Sequence, residues 1–425
     1  MSATTDAGRA APATGVSGWL ASTRRTLERP LTPYYLLLGA TGLLLAIGMI
    51  MVLSASSVDS FTHHHNSYFW ATKQAMWVSV ALPCAFIATR LPMRVLRMAS
   101  WPMVGVSLVL LALTQTSLGV SVNGNQNWLG LGPIQIQPSE VAKFAMVLWC
   151  ADVYSRKDAL LDSWRHVAIP VLPVTGLLTG LVLLGGDLGT ALVLFAITLG
   201  MLWVVGVPAR LFVVAVSVVS VAALYLAASS PERVKRITSF VNPFNDFQNS
   251  GWQAGHGILG MASGGILGKG IGASQQKWGN LPEAHTDFIF AVLGEELGLV
   301  GTLLVLVLFL TIAYAGIRVA VQTDNLFIRY ATAGVMIWLM AHVMINIGMV
   351  LALLPVIGIP LPLVSYGGSS LVPELVALGL VIGFARMEPA AAAELRQRRQ
   401  SRRGEAGRPV ARSAVRAGAR PRARS

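Results

Sequence analysis

The chain has 425 residues, of which 54% are hydrophobic and 12% charged, with a net charge of +13 and a mean hydropathy of +0.63. A soluble domain of this length carries about 25% charged residues to solvate its surface, so lipid must replace water over much of this one and an ordinary soluble enzyme is excluded. Two cysteines, Cys84 and Cys150, are too few for a disulfide scaffold or a thiolate metal site.

Residues 1–32 are polar and lack a cleavage signal, so they read as a disordered N-terminal segment. Apolar runs then recur with short polar breaks, and a helix needs about 20 such residues to cross a bilayer. Ten spans are expected, at 34–53, 70–89, 98–118, 139–154, 167–185, 188–206, 211–229, 288–317, 329–353 and 371–386. The fold class is therefore all-α: a polytopic integral membrane protein with about ten transmembrane helices and a long extracytoplasmic loop between helices 7 and 8. Residues 387–425 form a basic tail, expected to be disordered. Its eleven arginines against three glutamates supply eight of the thirteen net positive charges. Arg/Ala/Gly/Pro composition beside a membrane suits anionic lipid or an acidic partner, and no nucleic-acid binding is expected.

An even span count puts both termini on one side. Arg24, Arg25, Arg29, Arg90, Arg94, Arg97, Arg156, Lys157, Arg165, Arg210, Arg318 and Arg329 share that face with the tail, which makes it cytoplasmic by the positive-inside rule. The long outward loop also holds Arg233, Lys235, Arg236, Lys269 and Lys277. Cations there suit anionic head groups such as phosphates, or pair with Glu232 and Asp246.

Four outward segments are rich in Gly, Pro and polar residues, more than connection requires. In 119–144, Pro138 starts a helix and places Glu140 and Lys143 on one face, as groups lining a polar cavity or as a self-neutralising pair. In 184–190, Asp187 is a proton carrier, a cation ligand or the N-cap of the next span. In the long loop a glycine-dense stretch, 255–272, precedes Glu283, His285 and Asp287 at the edge of a span. Those glycines suit close approach to a phosphate or to another helix. A carboxylate near hydrocarbon gains proton affinity and can act as a general base, with helix capping as the alternative role for Asp287. In 346–370, Pro355, Pro360 and Pro362 forbid continuous helix and Ser365, Tyr366, Ser369 and Ser370 follow, so this segment should wall a cavity. His63, His64 and His65 are adjacent and do not converge on one ion as helical pairs do. No metal-binding motif is present.

The segments QPSEVAKF (137–144), LPEAHTDFIFAVLGEELG (281–298) and LPVIGIPLPLVSYGGSS (354–370), in this order, resemble the SEDS family of bacterial membrane proteins, the FtsW/RodA/SpoVE group. The resemblance runs from about Pro33 to Arg386, and QKWGNLPEAHTDF with a basic tail is similar to the division branch. It implies a peptidoglycan glycosyltransferase that polymerises lipid II, the undecaprenyl-pyrophosphate-linked disaccharide-pentapeptide. It further implies a class B penicillin-binding protein transpeptidase and other division proteins as partners, and a place in the inner membrane at the septum. It makes Asp287 the catalytic residue and Lys143 the family lysine at the pyrophosphate, with Glu140, Lys269, Lys277, Glu283, His285, Asp187 and Ser369 as further substrate-binding candidates. It names no certain cofactor, and a divalent cation, magnesium or manganese, is the one candidate. Two departures stand out: Asn127 precedes Trp128 where the family commonly has Arg, and Gly185 and Gly186 precede Asp187 where it often has Gln-Pro or Glu-Pro. The rival readings are a lipid II transporter, with Glu140, Asp187 and Lys143 as relays, and a non-catalytic scaffold that recruits the transpeptidase.

Overall fold

The computed structural model describes residues 29–406 except 123, 133, 162, 229–233, 236–239, 241 and 250. The N-terminal segment to residue 28, the tail beyond 406, and Glu232, Arg233 and Arg236 of the long loop lie outside the described residues.

Helices dominate: α1 (Thr32–His64), α2 (Phe69–Ala88), α3 (Met93–Thr114), α4 (Pro138–Arg156), α5 (Trp164–Leu184), α6 (Leu188–Val205) and α7 (Ala209–Ala228) precede the long loop. Within that loop lies α8 (Trp252–Gly264). It is followed by α9 (Ile289–Gln322), α10 (Leu326–Val350), α11 (Leu371–Met387) and α12 (Pro389–Ala406). Among the described residues ten helices answer to the ten expected spans, and eight of them are long and apolar enough to cross a membrane. The protein is thus a multi-pass membrane protein. The two that fall short, α2 and α4, both carry polar residues: α2 has Lys73 and Gln74 in its second turn, and α4 has Glu140, Lys143 and Asp152. Lipid need not tolerate α4, because 16 of its 19 residues are buried by neighbouring helices. It packs on α3 and α10, α2 packs on α11, and α1 packs on α9.

Two features go beyond the sequence reading. The segment 119–136 is a three-stranded antiparallel sheet, β1 (Gly119–Val122), β2 (Asn125–Leu131) and β3 (Ile134–Ile136), in the order β1-β2-β3. The first part of the basic tail, expected to be disordered, is helical as α12. Its run of four alanines after Pro389, followed by Glu, Leu, Arg and Gln, combines strong helix formers with a proline at the first position.

The glycine-dense loop and α9 are interlocked. At Gly298 the backbone leaves helical geometry (φ 65°, ψ −162°), which only glycine adopts at low cost. A break of this kind strands carbonyls on one side and amides on the other. The loop satisfies both: Lys269 N and Gly270 N donate to the Glu295 and Glu296 carbonyls at 3.0 Å each. Leu299 N and Val300 N donate to Gly265 O at 2.9 Å and Ile266 O at 3.1 Å. Gly268 (φ 80°) lies so close that a Cβ there would overlap the Glu296 carbonyl. Positive-φ strain and overpacking each cost of order 1–3 kcal/mol. Gly268→Val should therefore destabilise the protein by roughly 3 kcal/mol, read as a lower melting temperature in detergent, whereas Gly39→Ala, at a helical position with open space around it, should cost far less.

Candidate active site

The turn 283–288 is held from behind, carbonyl by carbonyl. His285 O accepts from Tyr366 N at 2.9 Å, Thr286 O from Ser365 Oγ at 2.6 Å, and Asp287 O from Asn346 Nδ2 at 2.8 Å. Asn346, buried on α10, also donates to Ile359 O at 2.7 Å. Ser365 Oγ accepts from Leu361 N at 2.8 Å. The proline-rich segment is thereby fixed against the acid-bearing turn. Glu283 takes a left-handed conformation (φ 57°). There its carbonyl accepts from Phe288 N at 3.1 Å and its carboxylate from Thr286 Oγ1 at 2.6 Å, closing the turn.

With its backbone clamped, the Asp287 carboxyl is left free. It accepts no hydrogen bond among the described residues, is partly exposed, and does not cap α9, whose N-cap is Phe288 without a side-chain bond. Gly358 (φ 81°) stands beside it, and a Cβ there would fall 3.3 Å from Oδ2. Burial raises the Asp287 pKa from 3.8 to about 7, with Glu283 and Asp187 adding negative charge nearby. An unpartnered carboxyl with this proton affinity can give or take a proton at neutral pH.

Asp187 does cap α6, accepting from Thr190 N and Thr190 Oγ1 at 2.8 Å each. It is also held by Asn127 Nδ2 at 2.7 Å and Gln137 Nε2 at 3.4 Å, which brings the sheet and the start of α4 to the same place. Ser369 Oγ accepts from Gln137 N at 3.0 Å, tying α4 to the residues before α11. Asp187, Asp287, Glu283 and Ser369 thus belong to one neighbourhood where the four polar segments converge. His285 stacks on Trp70 of α2 with ring centroids 5.3 Å apart, and Tyr366 meets the same indole at 5.0 Å. Burial lowers the His285 pKa, against the pull of Glu283 and Asp59, and pushes the Tyr366 hydroxyl up to about 12. Lys73 lies over the Phe69 and Trp70 rings at 4.5 and 5.2 Å and pairs with no carboxylate among the described residues.

The other candidates lie elsewhere. Lys143 is 1% exposed, and its ammonium donates to Glu140 Oε1 at 2.7 Å and His342 Nε2 at 3.0 Å. An ammonium only donates, so Nε2 accepts and the imidazole proton sits on Nδ1, 3.8 Å from Glu374 Oε1. This cluster from α4, α10 and α11 is one helical turn along α10 from Asn346, on the side away from Asp287. Lys269 pairs with Glu295 at 2.8 Å, and buried Lys277 with Glu296 at 3.3 Å while donating to Gly272 O at 2.7 Å. Glu295 further accepts from Ser274 Oγ at 2.6 Å and Gln275 N at 3.1 Å, and Glu296 from Ser54 Oγ at 2.7 Å. Both lysines brace the loop on α9, and neither reaches Asp287. Among the described residues no three His, Cys, Asp or Glu side chains are grouped to hold a metal ion.

Sequence reasoning missed Asn346, His342, Glu374, Trp70 and Lys73. Polar residues in otherwise apolar helices were the available signal for the first three.

Fold and site define a membrane-embedded helical protein with a clamped, high-pKa carboxyl at one end of its bundle. Residues 35–389 match the model of the cell cycle protein family of FtsW, RodA and SpoVE, and the chain belongs to that family. It is 38% identical over 396 residues to the probable peptidoglycan glycosyltransferase FtsW of Mycobacterium tuberculosis, covering 93% of this chain and 74% of that one. It is 36% identical to the stage V sporulation protein E of Bacillus subtilis, covering 84% and 97% of the two chains. Among solved structures it resembles a chain of a peptidoglycan synthase complex that coordinates polymerization and crosslinking (TM-score 0.68, 28% identity, 83% and 97% covered). It also resembles the rod shape determining protein RodA of Thermus thermophilus (TM-score 0.61, 29% identity, 84% and 97% covered).

Proposed function

We propose that this chain is a peptidoglycan glycosyltransferase that polymerises lipid II, with Asp287 as its general base. The single observation that carries the reading is the Asp287 carboxyl itself: clamped through its backbone, free of hydrogen bonds among the described residues, and with a pKa of about 7. Asp287 takes the proton from the 4-hydroxyl of the acceptor GlcNAc as that oxygen attacks C1 of the donor MurNAc. The C1–O bond to undecaprenyl pyrophosphate breaks, and one displacement converts the α-linked donor into a β-linked product with no covalent intermediate. The leaving group needs positive charge. Lys269, Lys277 and Lys143 are engaged with glutamates, so Lys73, over its aromatic platform and without a carboxylate partner, is the described cation best suited to meet it.

The arginine-rich face is the cytoplasmic one by the positive-inside rule, which puts both termini inside and Asp287 on the outer side of the inner membrane, at the septum in a dividing cell. The partners are a class B penicillin-binding protein transpeptidase and other division proteins.

Lipid II supplied to the purified protein and its partner in detergent provides the test, with product length followed against pH. The ionised carboxylate is the active form, so kcat/KM should fall about tenfold per unit below pH 7 and level off above it. A rate flat from pH 5 to pH 8 would remove Asp287 from the proton transfer. The buried Glu140–Lys143–His342–Glu374 cluster is what a lipid II transporter would use. Polymer made in detergent, where there is no bilayer to cross, separates the two activities.

A further inference from the structure

At the end of the bundle away from Asp287, a cavity of about 380 Å³ opens between the α2–α3 link, the last turn of α11 and the start of α12. Arg90, Arg386 and Arg396 line it, together with Thr89, Met387 and Leu395. α11 approaches α2 so closely here that a Cβ on Gly383 would fall 2.8 Å from Thr89 O, which sets Arg386 at the rim. The Arg90 guanidinium lies over the Phe86 ring at 4.8 Å and that of Arg386 over Tyr34 at 5.7 Å. Stacking orients a guanidinium while leaving its N–H donors available. None of the three arginines pairs with a carboxylate among the described residues. The nearby acids are turned to other cations: Glu394 accepts from Arg398 at 2.7 Å, and Glu388 lies within electrostatic reach of Arg318.

Three guanidiniums around one small volume repel one another unless an anion lies between them. We propose that this cavity binds the phosphate headgroup of an anionic phospholipid in the leaflet on the tail-bearing face. The apolar surroundings favour a lipid as the source of the phosphate. Phe86 and Ile87 of α2 are 59% and 57% exposed and Met387, which lines the cavity, is 47% exposed, so apolar side chains are available to acyl chains beside the arginines. A free anion gains nothing from those side chains. Basic pockets between the ends of membrane helices are suited to such headgroups, and α12 closes this one by folding back over the spans, with Ala391 buried beneath it. Bound lipid would fasten the first turns of the tail to the bundle.

The full-length protein in neutral detergent, titrated with phosphatidylglycerol or phosphatidylcholine and followed by native mass spectrometry, tests this. Phosphatidylglycerol should bind preferentially, and Arg90→Gln/Arg386→Gln/Arg396→Gln should weaken it about a hundredfold, to the level of phosphatidylcholine. Arg94→Gln/Arg165→Gln/Arg210→Gln removes as many charges outside the cavity and should change binding less than about twofold. Both triples should melt as wild type does; if the first does not, Arg90→Gln alone should still weaken binding about fivefold. Equal losses in the two triples would reduce the effect to diffuse surface charge and overturn the site. Displacement of bound phosphatidylglycerol by millimolar inorganic phosphate would assign the cavity to a free anion, and preference for a polyglutamate peptide would assign it to an acidic protein. Either result overturns the lipid proposal, and neither bears on polymerisation.

Discussion

Asp287→Asn should abolish glycan polymerisation while leaving the protein folded and, above pH 7, more stable than wild type. The amide keeps the size of the carboxyl and disturbs no hydrogen bond, because the clamp grips the main chain at Tyr366 N, Ser365 Oγ and Asn346 Nδ2. What it loses is the capacity to accept a proton, for which a positioned general base accounts for about 10²–10⁴ in rate. The stability effect has a definite sign. A carboxyl raised from 3.8 to about 7 holds its proton more tightly in the folded state, so its ionisation opposes folding increasingly from pH 3.8 upward and fully above pH 7. Asparagine removes that penalty, about 1–2 kcal/mol at pH 8 once partial exposure is allowed for, and the gain should vanish near pH 4. Melting curves at the two pH values, beside polymerisation assays, check both halves. A variant that polymerises lipid II at near wild-type rate would remove the general-base mechanism.

Lys143→Met should cost about 3–5 kcal/mol of stability, because it deletes the only ammonium in a buried cluster that holds two carboxyl groups. The Lys143 and Glu140 side chains are 2% and 5% exposed, so no water can replace the lost partner cheaply, and Glu140 Oε2 already lacks one. Glu140→Gln/Lys143→Met should recover most of the loss, since it removes the stranded charge together with its partner. Lys143→Arg keeps the charge but not the geometry and should fall between. The readout is the melting temperature of each variant in detergent beside its activity. If Lys143→Met melts as wild type but loses activity, the lysine acts on substrate and not on Glu140, His342 and Glu374.

Those two residues illustrate what the sequence makes legible. The spans were readable because hydropathy over 20 residues is a bulk property, and their arginine-rich breaks are one too. Asp287 was readable because an acid cluster at the edge of a span is conspicuous. The use of Lys269 and Lys277 was not, since pairing with Glu295 and Glu296 depends on a fold-back over the break at Gly298. A lysine on a loop looks the same in sequence whether it meets phosphate or glutamate. The sheet at 119–136 did leave a trace: Val120, Val122, Ile134 and Ile136 alternate with polar residues, and Asn123-Gly124 is a hairpin dipeptide. That short-period signal is confined to three or four residues at a time and is broken by Gly, Asn and Pro, so it stands out less than the spans on either side. Asn346 shows in the sequence only as a polar residue in an apolar helix, and its partners do not show, because the clamp joins α10 to carbonyls 59 and 13 residues away.

The break in α9 also has a mechanical consequence. The four backbone bonds that knit residues 265–270 to 295–300 close that stretch of chain into a ring, and the Asp287 turn lies on it. The helical arm 289–297 joins the turn to the break, whose only non-helical residue is Gly298. The turn is therefore held from both ends, by the braced break at one and by the Tyr366, Ser365 and Asn346 bonds at the other, so the chain that carries the acid has no slack in it.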